Sequence, residues 1–158
     1  MEWITLAAAV VGAVIATASA TLLERTRWQR ERQARSAEIR RQLYGEYLAA
    51  LASSRNAFRS LGRNRELPLA ERAAAAREAF EPCYALRYQM SITASPPVHE
   101  ASEAAFRRLR HVRNITAEGV VSGDDGYESG RAAYESALTG LRAAMRKDLG
   151  TDGADGAE

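Results

Sequence analysis

The hydrophobic pattern of the chain opens with an uncharged run over residues 3–23, WITLAAAVVGAVIATASATLL, in which the only polar interruptions are Thr5, Thr17, Ser19 and Thr21. As an α-helix this 21-residue run reaches about 31 Å, close to the hydrocarbon thickness of a bilayer. It predicts a transmembrane anchor. Residues 24–41 have no apolar face. Glu24, Arg27, Glu31, Arg35, Glu38 and Arg41 instead alternate in sign at steps of three and four, and each such pair supports a helix by about 0.2–0.5 kcal/mol. This stretch predicts a charged juxtamembrane helix, a spacer between bilayer and domain.

From there apolar stripes at helical spacing begin. The first holds Tyr44, Leu48, Leu51, Phe58 and Leu61, with Leu43 and Tyr47 beside it, and stops at Gly62 and the polar RNRE. Pro68 suits the first turn of the next helix, where a missing N–H costs nothing. That helix carries Leu69, Ala73, Ala76, Phe80, Cys83 and Met90, with Tyr84 and Tyr88 alongside. Pro82 lies inside the pattern and predicts a kink or break near Glu78, whose carbonyl loses its partner. Ser95-Pro96-Pro97 predicts a stop and a new start, with Ser95 as N-cap and Pro96 in the first position. The third stripe is Val98, Ala101, Ala105, Leu109, Val112 and Thr116, with Gly119 as C-cap. After the loop GVVSGDDG (119–126), the fourth is Tyr127, Tyr134, Leu138, Leu141, Met145 and Leu149, closing at Gly150. Residues 151–158 lack apolar content and predict a disordered tail.

No β-branched run alternates with polar residues, so the predicted fold class is all-α. An N-terminal transmembrane helix (1–23) continues into an Arg-rich stem (24–41), followed by an antiparallel helical bundle over residues 42–150. Alanine dominates several core positions, which leaves tyrosine and phenylalanine to supply most of the packing.

Charge gives the anchor an orientation. Arg25, Arg27, Arg30, Arg32, Arg35, Arg40 and Arg41 outweigh the three glutamates of residues 24–41, a net of +4, while residues 42–158 sum to −1. Basic residues close to a spanning helix stay in the cytoplasm, so the N-terminus is expected outside and the bundle inside, at a plasma membrane. Trp3 and Trp28 flank the segment, where indoles favour the headgroup region. Arg25, Arg27, Arg30 and Arg32 are the expected contacts to lipid headgroups, together with the two tryptophans. ATASA (residues 16–20) has the small residues of a signal-peptidase site, but the leading Met-Glu-Trp is acidic and the run exceeds a usual h-region. An uncleaved anchor is therefore the expectation. The balanced charge of the remainder excludes nucleic acid as a partner.

Candidate chemistry is thin. His99 and His111, the only histidines, stand about 18 Å apart if both lie on one helix, too far to share a metal. Cys83 is the lone cysteine and reads as a packed core thiol. Asp124-Asp125-Gly126 lacks the further ligands of a calcium loop. Asn114-Ile115-Thr116 matches a glycosylation acceptor but falls in a predicted cytoplasmic helix. Glu46, Glu78, Glu81 and Glu103 read as solvated or salt-bridged surface. No catalytic residue, cofactor or metal is predicted, and the chain is not read as an enzyme. Ala8, Gly12, Ala16 and Ala20 recur every four residues, the spacing that lets two membrane helices pack closely, so they form a candidate helix–helix contact.

Twenty-one arginines against one lysine, Lys147, with abundant alanine, suggest the coding bias of a high-GC bacterium. The anchor, the Arg-rich stem with Trp28, the segment RRQLYGEYLAAL (40–51) and the closing AMRKDLG (144–150) resemble a loose group of uncharacterised actinobacterial single-pass membrane-anchored helical proteins. The resemblance implies a cytoplasmic helical domain on a single anchor and transfers no functional residue. The expected role is a membrane-tethered helical interaction or scaffold protein that recruits a protein partner or forms a homo-oligomer. The alternative is a small-ligand or lipid-binding module with a cavity near Pro82.

Overall fold

The computed structural model describes the backbone of residues 2–151 and the side chains of residues 24–151, Thr26 excepted. Four helices are present among the described residues: α1 (Glu2–Arg63), α2 (Leu69–Thr93), α3 (Pro96–Ala117) and α4 (Asp125–Asp148). Among the described residues there is no strand, and no helix is long and apolar enough to cross a membrane. The run over residues 3–23, with Trp3, Ala8, Gly12, Ala16 and Ala20, and the tail after Thr151 lie outside the described side chains. The chain divides after Ile39 into two compact units.

In the first unit, helix α1 carries an almost wholly exposed set of polar side chains between Glu24 and Ile39. Arg27 Nε meets Glu31 Oε1 at 3.0 Å, an i,i+4 pair. Such exposed pairs contribute a few tenths of a kcal/mol, roughly 0.3–0.5. Helicity here rests on local pairing and not on burial.

The second unit is a helical bundle whose directions alternate. The α1 side chains fix this. Tyr44 Oη donates to Asp148 at the end of α4 (2.8 Å), whereas the Gly62 carbonyl accepts from Ser122 N (3.0 Å) just before α4 begins. Phe58 lies 6.2 Å from Phe80 while Ser54, one turn earlier, meets Cys83 further along α2 at 3.3 Å, and Tyr47 Oη reaches the Ser102 carbonyl in early α3 (3.2 Å). Neighbours in sequence are thus antiparallel, as short connections demand. Tyr47, Leu51, Phe58, Phe80, Phe106, Leu109, Tyr134 and Leu141 form the buried centre. Their burial is the main stabilising contribution, at about 1.5–3 kcal/mol for each large apolar side chain.

The stripes sit slightly rotated from their expected places. On α1 the buried line is Tyr47, Leu51, Ser54 and Phe58, while Leu48 and Leu61 are only half-buried. Leu69, expected in the core, is 60% exposed, and the buried residue of that first turn is Arg72. Its Nη2 donates to the Asn64 carbonyl at 2.7 Å, beyond the end of α1. A guanidinium there satisfies backbone oxygen that would otherwise be orphaned.

Pro82 does not break α2. Pro82 and Glu78 are both exposed, so the carbonyl freed by the proline lies on the solvent side, where water replaces the lost donor. Ser95 precedes α3 as expected, but its side chain makes no cap bond; it stands beside Asp148 instead. Pro96 and Pro97 carry no N–H, which removes two of the donors a cap serves. Helices α3 and α4 end in matching Schellman motifs. Val120 N bonds Ile115 O and Thr151 N bonds Arg146 O, both at 3.0 Å, with Gly119 at φ +97° and Gly150 at φ +69°. That left-handed backbone is where glycine lacks the Cβ penalty. Gly62 is needed for a different reason: a Cβ there would stand 2.9 Å from Ser122 Oγ.

Candidate functional site

Two clusters of ionisable groups tie the helices of the bundle together. Arg87 pairs bidentately with Glu103, with Nη2–Oε2 at 3.0 Å, and its guanidinium carbon stands 4.7 Å above the Phe106 ring. Arg113 donates to Tyr84 Oη at 3.0 Å and lies 5.2 Å over Phe80. The α2–α3 seam is therefore a ladder of arginine on aromatic faces, reinforced by the edge-on Tyr84–Phe106 contact at 5.4 Å. The hydrogen bonds from Arg87 hold the Glu103 carboxyl below the usual carboxylate range against the opposing effect of burial.

A second network closes the end of the bundle that carries Arg40. Asp148 accepts from Tyr44 Oη at 2.8 Å and pairs with Arg40 Nε at 3.0 Å, with Ser95 beside it. Burial pushes the Asp148 carboxyl up, but these partners together pull it below its ordinary value. Tyr44 is pushed up to about 12 by burial and by its bond to Asp148. Beside this network, Ser95, Pro97, Ala144, Lys147 and Asp148 line an open hollow. It lies at the α2–α3 corner. The level of Pro82 is instead filled by Phe80, Cys83 and Phe106, all buried.

The interior polar groups are enclosed, and not all of them are paired. Cys83 is fully buried, and burial raises its thiol against the opposing hydrogen bond from Ser54, 3.3 Å away. A protonated, enclosed thiol is a poor nucleophile. Burial raises Tyr47 and lifts Tyr134 to about 12. Tyr134 Oη, also fully enclosed, makes no hydrogen bond. His99 is half-buried and His111 exposed. Among the described residues no three metal-ligating side chains converge.

The expected lipid-contact residues fall into two groups on the stem. Arg25, Trp28 and Arg32, with Gln29, line one cleft; Trp28, Glu31, Arg32 and Arg35 line another. Arg27 is held by Glu31 instead. Trp28 is 59% exposed, a large apolar surface amid guanidinium groups.

One feature escaped the sequence reading. Tyr88 and Ile92 are 65% and 84% exposed on α2. They stand one turn apart, each roughly 160° around the helix from the buried Met90, so a helical wheel anchored on Met90 separates them from the core. Tyr88, expected alongside the α2 stripe, thus turns outward.

Comparison with known proteins finds nothing similar: no family model, no curated protein and no solved structure matches the chain.

Proposed function

We propose that the chain is a membrane-tethered helical interaction module. Residues 3–23 anchor it with the N-terminus outside, residues 24–41 form its basic stem, and the bundle presents the outer face of α2 to a protein partner in the cytoplasm. The observation that carries this reading is the exposed pair Tyr88 and Ile92. Burying an exposed isoleucine or tyrosine against a partner contributes about 1.5–3 kcal/mol each. Aromatic residues are also the usual anchors of protein interfaces. Beside this pair Arg87 is engaged with Glu103 and Ser91 with the Tyr88 carbonyl, which favours recognition over chemistry.

A photo-crosslinking amino acid placed at position 88 or 92 of the full chain in living cells tests the reading. A discrete adduct in the membrane fraction from both positions, absent from the exposed position 142 on α4, is the expected result. Identical labelling from all three positions, or none from any, refutes it.

A further inference from the structure

Arg25, Arg32 and Arg35 stand three residues before, four after and seven after Trp28, which places all four on one face of helix α1. That face holds the open hollow lined by Arg25, Trp28, Gln29 and Arg32; at its edge Trp28, Arg32 and Arg35 line a second together with Glu31. Arg27 lies off it, with its charge set against Glu31 at 3.0 Å, and Arg30 also lies off it. The stem thus sets Arg25 and Arg32 around an exposed indole, while Glu31, the partner of Arg27, stands at the edge of that face.

Helical side chains lean toward the N-terminus of their helix. On the stem that direction is toward Leu23, the last residue of the uncharged run. Trp28 follows Leu23 by five residues, about 7.5 Å of helix, and its leaning indole comes back to the depth of the polar headgroups, a layer about 5–8 Å thick on each side. Arg25 starts inside that layer. Arg32 starts beyond it and, on a long flexible stem, reaches back along the helix as snorkelling arginines do.

We propose that the Trp28 face of the stem is a binding site for anionic phospholipid, in which Arg25 and Arg32 hold the headgroup phosphate and Trp28 packs against the glycerol region. This rests on the membrane tether proposed above. Charge complementarity selects the occupant. A guanidinium fork matches phosphate oxygens bidentately, and the indole offers an apolar plane with one N–H donor, the combination suited to the boundary between acyl chains and water. A zwitterionic lipid presents the same phosphate with an ammonium beside it, which the arginines repel.

The test uses the full chain with Trp3→Phe, so that Trp28 is its only indole, reconstituted in phosphatidylcholine vesicles. A fixed small fraction of brominated lipid, either phosphatidylglycerol or phosphatidylcholine, quenches the fluorescence of any indole it neighbours. Quenching by brominated phosphatidylglycerol is expected to exceed that by brominated phosphatidylcholine roughly twofold or more, as the attraction of arginine for anionic headgroups implies. Arg25→Gln with Arg32→Gln should bring the ratio to unity. Arg27→Gln with Arg30→Gln, which removes the same formal charge, should leave it unchanged. Equal quenching by the two lipids, or equal loss in the two double variants, overturns the site in favour of diffuse charge. A chain that fails to float with either vesicle overturns the tether itself and the lipid site with it; one that floats without lipid preference overturns the site alone.

Discussion

Replacing Phe80 by Ala removes the side chain on which the α2–α3 seam and the bundle centre converge. Its ring lies 5.0 Å from Phe106, 5.4 Å from Tyr84 and 6.2 Å from Phe58, with the Arg113 guanidinium 5.2 Å above it. Phenylalanine-to-alanine changes in packed cores cost about 3–5 kcal/mol. Each aromatic contact adds about 0.5–1.5 kcal/mol beyond area burial, which places this site at the upper end, near 5 kcal/mol. Such a loss is a large share of the 5–15 kcal/mol that stabilises a typical domain. Urea unfolding of a chain beginning at Arg40, followed by circular dichroism, measures it directly. Leu48→Ala provides the comparison: Leu48 is only half-buried, so its loss should fall clearly below that of Phe80→Ala. Equal costs for the two, or a cost under about 1 kcal/mol for Phe80→Ala, would refute the packing described.

Three further outcomes follow from the buried polar groups. Glu103 and Asp148 both titrate below their ordinary values when folded, so the stability they contribute is complete above the unfolded carboxylate value near 4 and is lost as pH falls through the lower folded value. Unfolding midpoints measured from neutral to acid pH should therefore fall more steeply for the natural chain than for Glu103→Gln with Asp148→Asn; parallel curves would contradict it. Tyr134→Phe, which removes an enclosed hydroxyl without a partner, should leave stability unchanged or raise it, whereas Tyr47→Phe, which loses the bond to Ser102 O, should cost about 1 kcal/mol. Cys83 should resist a disulfide exchange reagent in the folded protein and react on unfolding; labelling at the rate of a free thiol under native conditions would show that the site is open.

Long amphipathic stretches were legible because a 3.6-residue period leaves little choice of face. On α4, Tyr127, Tyr134, Leu138, Leu141 and Met145 were all read from spacing, and all are buried. Helix α2 was harder. Alanine occupies both its faces from Ala73 to Ala76, so hydrophobicity alone does not say which side is inside, and Leu69 was drawn into the core while Arg72 was left out. Arg72 escapes any apolar pattern because its burial depends on a carbonyl at the end of a different helix. Phe106 was missed because the stripe was fixed through Ala105, one position away, although both are buried. Of the candidate sites, the basic cluster with Trp28 was visible in composition, but the pairing of Arg27 with Glu31 at the edge of the Trp28 face needed side-chain positions. The exposed Tyr88 and Ile92 were invisible for the converse reason: apolar residues on a helix default to the core unless something fixes the helix rotation.

The proposed tether, in which residues 3–23 hold the bundle at the cytoplasmic face of a membrane, stands or falls on topology. Fusing alkaline phosphatase and a fluorescent protein, separately, to the C-terminus of the full chain in bacteria tests it most directly, since the first is active only outside the cytoplasm and the second fluoresces only within it. Fluorescence in a carbonate-resistant membrane fraction, with no phosphatase activity, is the predicted result; strong phosphatase activity without fluorescence would contradict the account.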